Sequence, residues 1–212
     1  MRFLSFDVDE TLIDPYYLDY VWNTAMPSLY ARMNGLSFQE AQNYVMRQYE
    51  QIGFNDIRWY QPNYWFSHLG LQGDPLQIFR ENNDKIRFYP EVPFVLKTLS
   101  RQYELVIASG IPRELVEIII EKYRSYFKRV FSPISDLKET RKTTNFYAMI
   151  CQALGIEPSE IVHIGNNMIF DFEIPQKIGI KSFLLDRTGE NVGDSVLRDL
   201  EELDGHLSSE IV

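Results

Sequence analysis

Residues 103–109 read YELVIAS, and Gly110 follows. The run is short, aliphatic and free of polar alternation, so it is predicted to be a strand buried on both faces. What comes next decides the fold class. PRELVEIIIEKYRSY, 112–126, has apolar residues at helical spacing and a proline in its first turn. A buried strand feeding an amphipathic helix is the repeating unit of a parallel sheet covered on both faces. The unit recurs down the chain: FKRVFS (127–132) as a strand, then TTNFYAMICQALG (143–155) as a helix stopped by Gly155. EIVHIG (160–165) follows as a strand, FEIPQKIGI (172–180) as a short helix broken around Pro175, and KSFLLD (181–186) as the last strand. With RFLSFD (2–7) the count is five strands, and the expected fold is α/β: a Rossmann-like parallel sheet core with helices on both faces.

Residues 15–88 do not share this alternation. They read as helix after helix, over 16–33, 37–51, 63–69 and 75–86. The second opens on a capping box, Ser37 with Glu40, and the fourth on Asp74 as N-cap with Pro75 at the first helical position. An insertion of roughly 70 residues is far longer than a strand-to-helix connection needs. The expected organisation is therefore a core domain of residues 1–14 and 89–212 and a helical cap domain of residues 15–88. The cap leaves from the end of the first strand and so should sit over the carboxyl end of the sheet. Its aromatics, Tyr16, Tyr17, Trp22, Trp59, Tyr60 and Trp65 among them, are expected mostly to pack helices, with a few facing the cleft. The tail RDLEELDGHLSSE (198–210) reads as a solvated terminal helix with a fraying end.

At 212 residues, 45% hydrophobic and 14% aromatic, the chain has enough apolar material for a packed core. A net charge of −9 argues against broad nucleic-acid binding, which needs a basic footprint. No apolar run approaches a membrane span and Arg2 to Asp7 is too short for a secretory leader, so a cytoplasmic protein without membrane association is expected. The single cysteine, Cys151, is expected to be a small buried side chain. His163, inside an apolar strand, is expected to be a satisfied core histidine, and His68 and His206 have no ligand pattern around them.

In open α/β sheets, sites form outside the carboxyl ends of the strands. Here the first strand ends in FDVDETLID (6–14), carrying Asp7 and Asp9; the second ends in Ser109 and Gly110; the fourth ends in Gly165, Asn166 and Asn167, with Asp171 close behind. Lys142 precedes the helix leading into the fourth strand. An all-oxygen ligand set suits Mg²⁺, amides at a helix start suit an anion, and a carboxylate can attack phosphorus while a second one moves the proton.

These motifs resemble the haloacid dehalogenase-like (HAD) phosphohydrolase superfamily. FDVDETL is similar to its DxDxT signature, the segment through YELVIASG to its phosphate-binding serine, and LGIEPSEIVHIGNNMIFDFEIPQKIGIKSFLLD to its last acidic motif. The resemblance covers residues 1–14 and about 89–190, and places a helical cap after the first strand. It implies a Mg²⁺-dependent phosphatase acting on a small phosphorylated metabolite through an aspartyl-phosphate. Asp7 would be nucleophile and metal ligand, and Asp9 general acid/base with its carbonyl on the metal. Thr11 would support the turn and the phosphoryl pocket, Ser109, Gly110 and Lys142 would hold the phosphoryl group, and Asn166 and Asp171 would complete the metal site. Asp9 points to phosphate chemistry, because dehalogenating relatives lack that second aspartate. Two departures stand: the last motif usually opens with Gly-Asp, where this chain has Gly165-Asn166, and the family lysine aligns with Lys142 only after a one-residue shift, with Arg141 and Lys138 as the other choices. The alternatives are a catalytically weak relative that binds a ligand or partner in the same cleft, and a phospho-aspartate signalling domain.

Overall fold

The computed structural model of the chain describes residues 2–208. Six strands, β1 (Phe3–Phe6), β2 (Glu104–Ala108), β3 (Phe127–Phe131), β4 (Ile161–Gly165), β5 (Lys181–Leu185) and β6 (Val196–Leu197), form one sheet in the order β3-β2-β1-β4-β5-β6. Every neighbouring pair is parallel. The five expected strands are present with ends within one residue of the reading. The sixth was not anticipated, because two residues are too few to show a period.

Successive side chains on a strand point to opposite faces, and the core divides accordingly. Leu4, Phe6, Ile107 and Ile164 belong to one apolar layer, and Phe3, Val106, Ala108 and Ile161 to the other. Cys151 is buried in the second layer, on the helix Thr144–Leu154, which Gly155 ends in a left-handed conformation (φ 66°). The chain's tail departs from the expected solvated helix. Leu200, Leu203 and Leu207 are fully buried against the first layer, so one face of this segment is core; the end of the tail, residues 209 and 210, lies outside the described residues.

β1 is the central strand, with β2 on one side and β4 on the other. The order therefore reverses at β1, and its carboxyl end opens on a crevice between the loops of its neighbours. The helical insertion departs and returns there. Asp14 N–H donates to the Arg87 carbonyl at 3.0 Å, and Tyr89 N–H to the Leu12 carbonyl at 3.1 Å, so the two linkers run side by side.

Within the insertion the first expected helix is present but contains a wide turn: Tyr16–Tyr20 and Met26–Asn34 flank a π-helical segment, Val21–Ala25. Pro27 explains it. Lacking an N–H, it cannot take the Asn23 carbonyl, and Gln42 Nε2 donates to that oxygen instead at 2.8 Å. Tyr49 Oη likewise donates to the Trp22 carbonyl at 3.3 Å. The irregular turn thus ties down the next helix, Phe38–Ile52, whose Ser37–Glu40 capping box is formed as the spacing predicted. The fourth expected helix is shorter: Asp74 Oδ1 accepts from Leu76 N–H, the helix covers only Gln77–Glu81, and a single 3₁₀ turn, Asn83–Lys85, follows. Likewise Arg113–Ile119 is α-helical but Glu121–Tyr126 tightens to 3₁₀, with Pro112 at the N-cap rather than inside the first turn.

Candidate active site

A cleft of about 880 Å³ separates the carboxyl edge of the sheet from the helical insertion. Asp7, Asp9, Ser109, Gly110, Lys142, Asn166 and Asp171 all line it. Thr11 does not: it is fully buried behind the turn, with its hydroxyl lacking a partner.

The floor is built by the end of β1. Asp7 N–H continues the ladder to the Ile164 carbonyl at 2.9 Å, then the chain wraps around one acceptor, the Val8 carbonyl, which receives the N–H groups of Thr11, Leu12 and Ile13. This tight turn carries Glu10 at φ 55°, left-handed backbone on a residue with a Cβ. It aims Asp7 and Asp9 at the cleft.

Lys142 joins two distant carboxylates. Its Nζ lies 2.8 Å from Asp7 Oδ1 and 2.5 Å from Asp171 Oδ1, and all three residues are nearly inaccessible, at 5%, 7% and 1% exposure. Burial lowers the pKa of the ammonium, but Asp171 and Asp7 more than reverse that and raise it, so the group stays charged. Burial pushes Asp7 up and Asp171 adds to it, while Lys142 pulls it back. For Asp171, burial is outweighed by Lys142 and by His163, and the carboxyl is held below the usual carboxylate range. Asp9, partly buried and facing the charges of Asp7 and Glu10, is pushed up to about 7.

Asp171 is committed on both oxygens. Besides Lys142, Oδ1 meets His163 Nε2 at 3.1 Å, and Oδ2 accepts the Asn167 N–H at 3.0 Å. This leaves Asp171 as the anchor of Lys142 more than as an open ligand. His163 is the core histidine expected, and burial lowers its pKa, so the ring is neutral. Because a carboxylate only accepts, Nε2 carries the proton toward Asp171, and Nδ1 accepts from Ser5 Oγ at 3.0 Å. The link from His163 to the site was not read from the sequence. The signal was the strand period, which puts His163 on the same face of β4 as Gly165.

Neither of the other two cations meets Asp7, although Arg141 also lines the cleft. Lys138 Nζ donates to the Ser135 carbonyl at 3.3 Å, and Arg141 Nη2 reaches across to Asn55 Oδ1 of the insertion at 2.5 Å. Ser109 is fully buried, and its hydroxyl oxygen accepts the Ile111 N–H at 3.4 Å. The insertion contributes Trp22, Tyr49, Trp59, Trp65 and Phe54 to the cleft, with Asp19 and Glu50 beside them. Tyr49 makes edge contacts with three indoles, at centroid distances of 6.0, 5.9 and 4.5 Å. Glu10, for which the sequence suggested nothing, accepts from Asn166 Nδ2 at 2.9 Å.

The family model of haloacid dehalogenase-like hydrolases matches residues 1–179. The chain belongs to that family. Among curated proteins it is 35% identical over 118 residues to the GMP/IMP nucleotidase YrfG of Escherichia coli (strain K12), a stretch covering 51% of this chain and 49% of that protein. The same protein of Shigella flexneri matches equally. The shared stretch is thus about half the length of these relatives. Among solved structures, a HAD phosphatase from Thermococcus onnurineus superposes with a TM-score of 0.83 at 22% identity, over 100% of both chains. A 2-haloacid dehalogenase from Pseudomonas syringae pv. Tomato DC3000 superposes at 0.72, with 15% identity and 99% of each chain covered. At such identities these two establish the HAD fold, an α/β Rossmann-like sheet, and the family match places the chain among the haloacid dehalogenase-like hydrolases. No helix among the described residues is long and apolar enough to cross a membrane.

The family's Mg²⁺ can be tested against the donors present. No cluster of three or more His, Cys, Asp or Glu side chains fit to hold a metal occurs among the described residues. Mg²⁺ does not require one, because it binds through one or two carboxylates and keeps waters and substrate oxygens for the rest. Asp7, the Asp9 carbonyl and the Asn166 amide oxygen are such a hard-oxygen set, and Asp9 Oδ1 is buried with no partner of its own. The donors fit the ion.

Proposed function

We propose that the protein is a Mg²⁺-dependent phosphatase that transfers the phosphoryl group of a small phosphorylated metabolite to Asp7. The observation that carries this reading is Lys142, a buried cation holding one oxygen of Asp7 while Asp171 fixes the lysine from behind. Such a lysine orients the nucleophile and offsets the charge of an incoming phosphate. Asp7, Asn166 and the Asp9 carbonyl would hold the ion, with Asp171 behind them, and bound Mg²⁺ would neutralise phosphoryl oxygens.

In the first step an Asp7 oxygen bonds to phosphorus, the phosphorus–ester oxygen bond breaks, and Asp9 gives its proton to the leaving oxygen. In the second, Asp9 takes a proton from water, the water oxygen bonds to phosphorus, and the Asp7–phosphorus bond breaks. A carboxyl pushed up to about 7 is suited to both halves, since it gains and loses a proton near neutrality. Ser109 and Gly110, which line the cleft at the end of β2, would hold the phosphoryl oxygens.

The aromatic wall supplied by the insertion favours a planar group on the rest of the substrate, which together with the nucleotidase relatives makes a nucleoside monophosphate the preferred class. The test is phosphate release from nucleoside and sugar monophosphates with Mg²⁺. Release is expected to be fastest with a nucleotide and lost on adding EDTA or in Asp7→Asn. Full activity in Asp7→Asn would exclude the aspartyl-phosphate route. Slow release with every phosphate ester, rising strongly in Asn166→Asp, would favour a weak relative that uses the cleft for binding.

A further inference from the structure

Two loops from neighbouring strands meet at one hydrogen bond that the catalytic scheme leaves unused. Glu10 follows Asp9 in the turn after β1, and Asn166 follows Gly165 at the end of β4. Asn166 Nδ2 donates to Glu10 Oε2 at 2.9 Å, and both residues line the cleft beside Asp7 and Asp9. The orientation of the amide is not free. A carboxylate only accepts, so the nitrogen must face Glu10, and the amide oxygen is turned away from it. Glu10 itself keeps a left-handed backbone (φ 55°) that a residue with a Cβ adopts only against steric resistance.

We infer that Glu10 is a positioning residue for the metal: it fixes Asn166 with its oxygen toward the ion and supplies, one bond further out, the negative charge that an amide lacks. Glu10 and Asn166 act as one unit, a neutral ligand with an ionised partner behind it. Partners of this outer kind orient a ligand and strengthen it as a donor, and losing one costs on the order of 10–100-fold in metal affinity. The inference rests on the Mg²⁺ reading above and adds to it a residue that touches neither substrate nor ion.

The experiment is calorimetric titration of Mg²⁺ into the full chain without substrate, with thermal unfolding in EDTA as the folding control. Glu10→Ala is expected to weaken Mg²⁺ binding at least about 10-fold. Glu10→Gln keeps an acceptor for the Asn166 amide and should recover part of that loss. Asn166→Ala should weaken binding as Glu10→Ala does, and the double variant no further than either. Glu10→Gly, whose backbone suits the left-handed turn, gives a second folded variant with the same expected loss. Glu10→Ala and Glu10→Gly both binding within twofold of wild type would overturn the inference, as would losses from Glu10→Ala and Asn166→Ala that simply multiply. Wild-type protein that takes up no Mg²⁺ would instead remove the metal reading on which it stands.

Discussion

Gly165 shows how closely the buried site is packed. A Cβ built there would lie 2.5 Å from the carboxyl carbon and Oδ2 of Asp171, so the carboxylate occupies the space a side chain would need. Gly165→Ala must push Asp171 aside and Lys142 with it. We expect it to lose about 1–3 kcal/mol of stability by urea unfolding, together with most of its activity. Lys142→Met removes the cation between two buried acids; leaving a buried charge unpaired costs about 3–5 kcal/mol, which urea unfolding at neutral pH should register. An unchanged unfolding midpoint in that variant would mean the three groups are not ionised together.

Elements are held by equally local chemistry. The loop after β5 winds around Asp186, whose carboxylate accepts the N–H groups of Thr188 and Gly189 at 3.1 Å and of Asn191 at 2.5 Å. The Asn191 and Thr188 hydrogen bonds hold the carboxyl below the usual carboxylate range. A depressed folded pKa means that the unfolded chain takes up its proton first as the pH falls. The contribution is therefore complete above the ordinary aspartate pKa of about 4 and disappears as pH drops through the lower folded value. Asp186→Asn should unfold at lower urea than wild type at pH 7, with the gap narrowing at pH 3. In the insertion, Ser37 caps the helix Phe38–Ile52, and Ser37→Ala should cost about 1 kcal/mol by chemical denaturation. The second π segment, Met168–Glu173, is followed by Pro175 as the first is by Pro27. Each proline withdraws one helical donor, so the prolines were visible in the sequence while the wide turns they accompany were not.

The whole molecule is two layers of core around a sheet, with a helical insertion returning to within hydrogen-bonding distance of where it left. Adjacent linkers let the insertion sit over Asp7, and Arg141, reaching from the core to Asn55, is a contact across the cleft mouth. Arg141→Ala is expected to raise KM several-fold, about 1 kcal/mol, with kcat changed less. Equal falls in kcat and kcat/KM would place Arg141 in the chemistry instead. What the sequence by itself determined was the strand–helix alternation, the helical character of residues 15–88, and the residues at the strand ends, because periods of two and 3.6 and the placement of proline and glycine are local properties. Only tertiary structure decided that Lys142, not Arg141 or Lys138, meets Asp7, that His163 braces Asp171, that Thr11 stays behind the turn, and that Glu10 holds Asn166. Those outcomes depend on which loops the sheet order brings together, and a strand order is set by packing between segments more than a hundred residues apart, as the Asp7–Lys142 contact is.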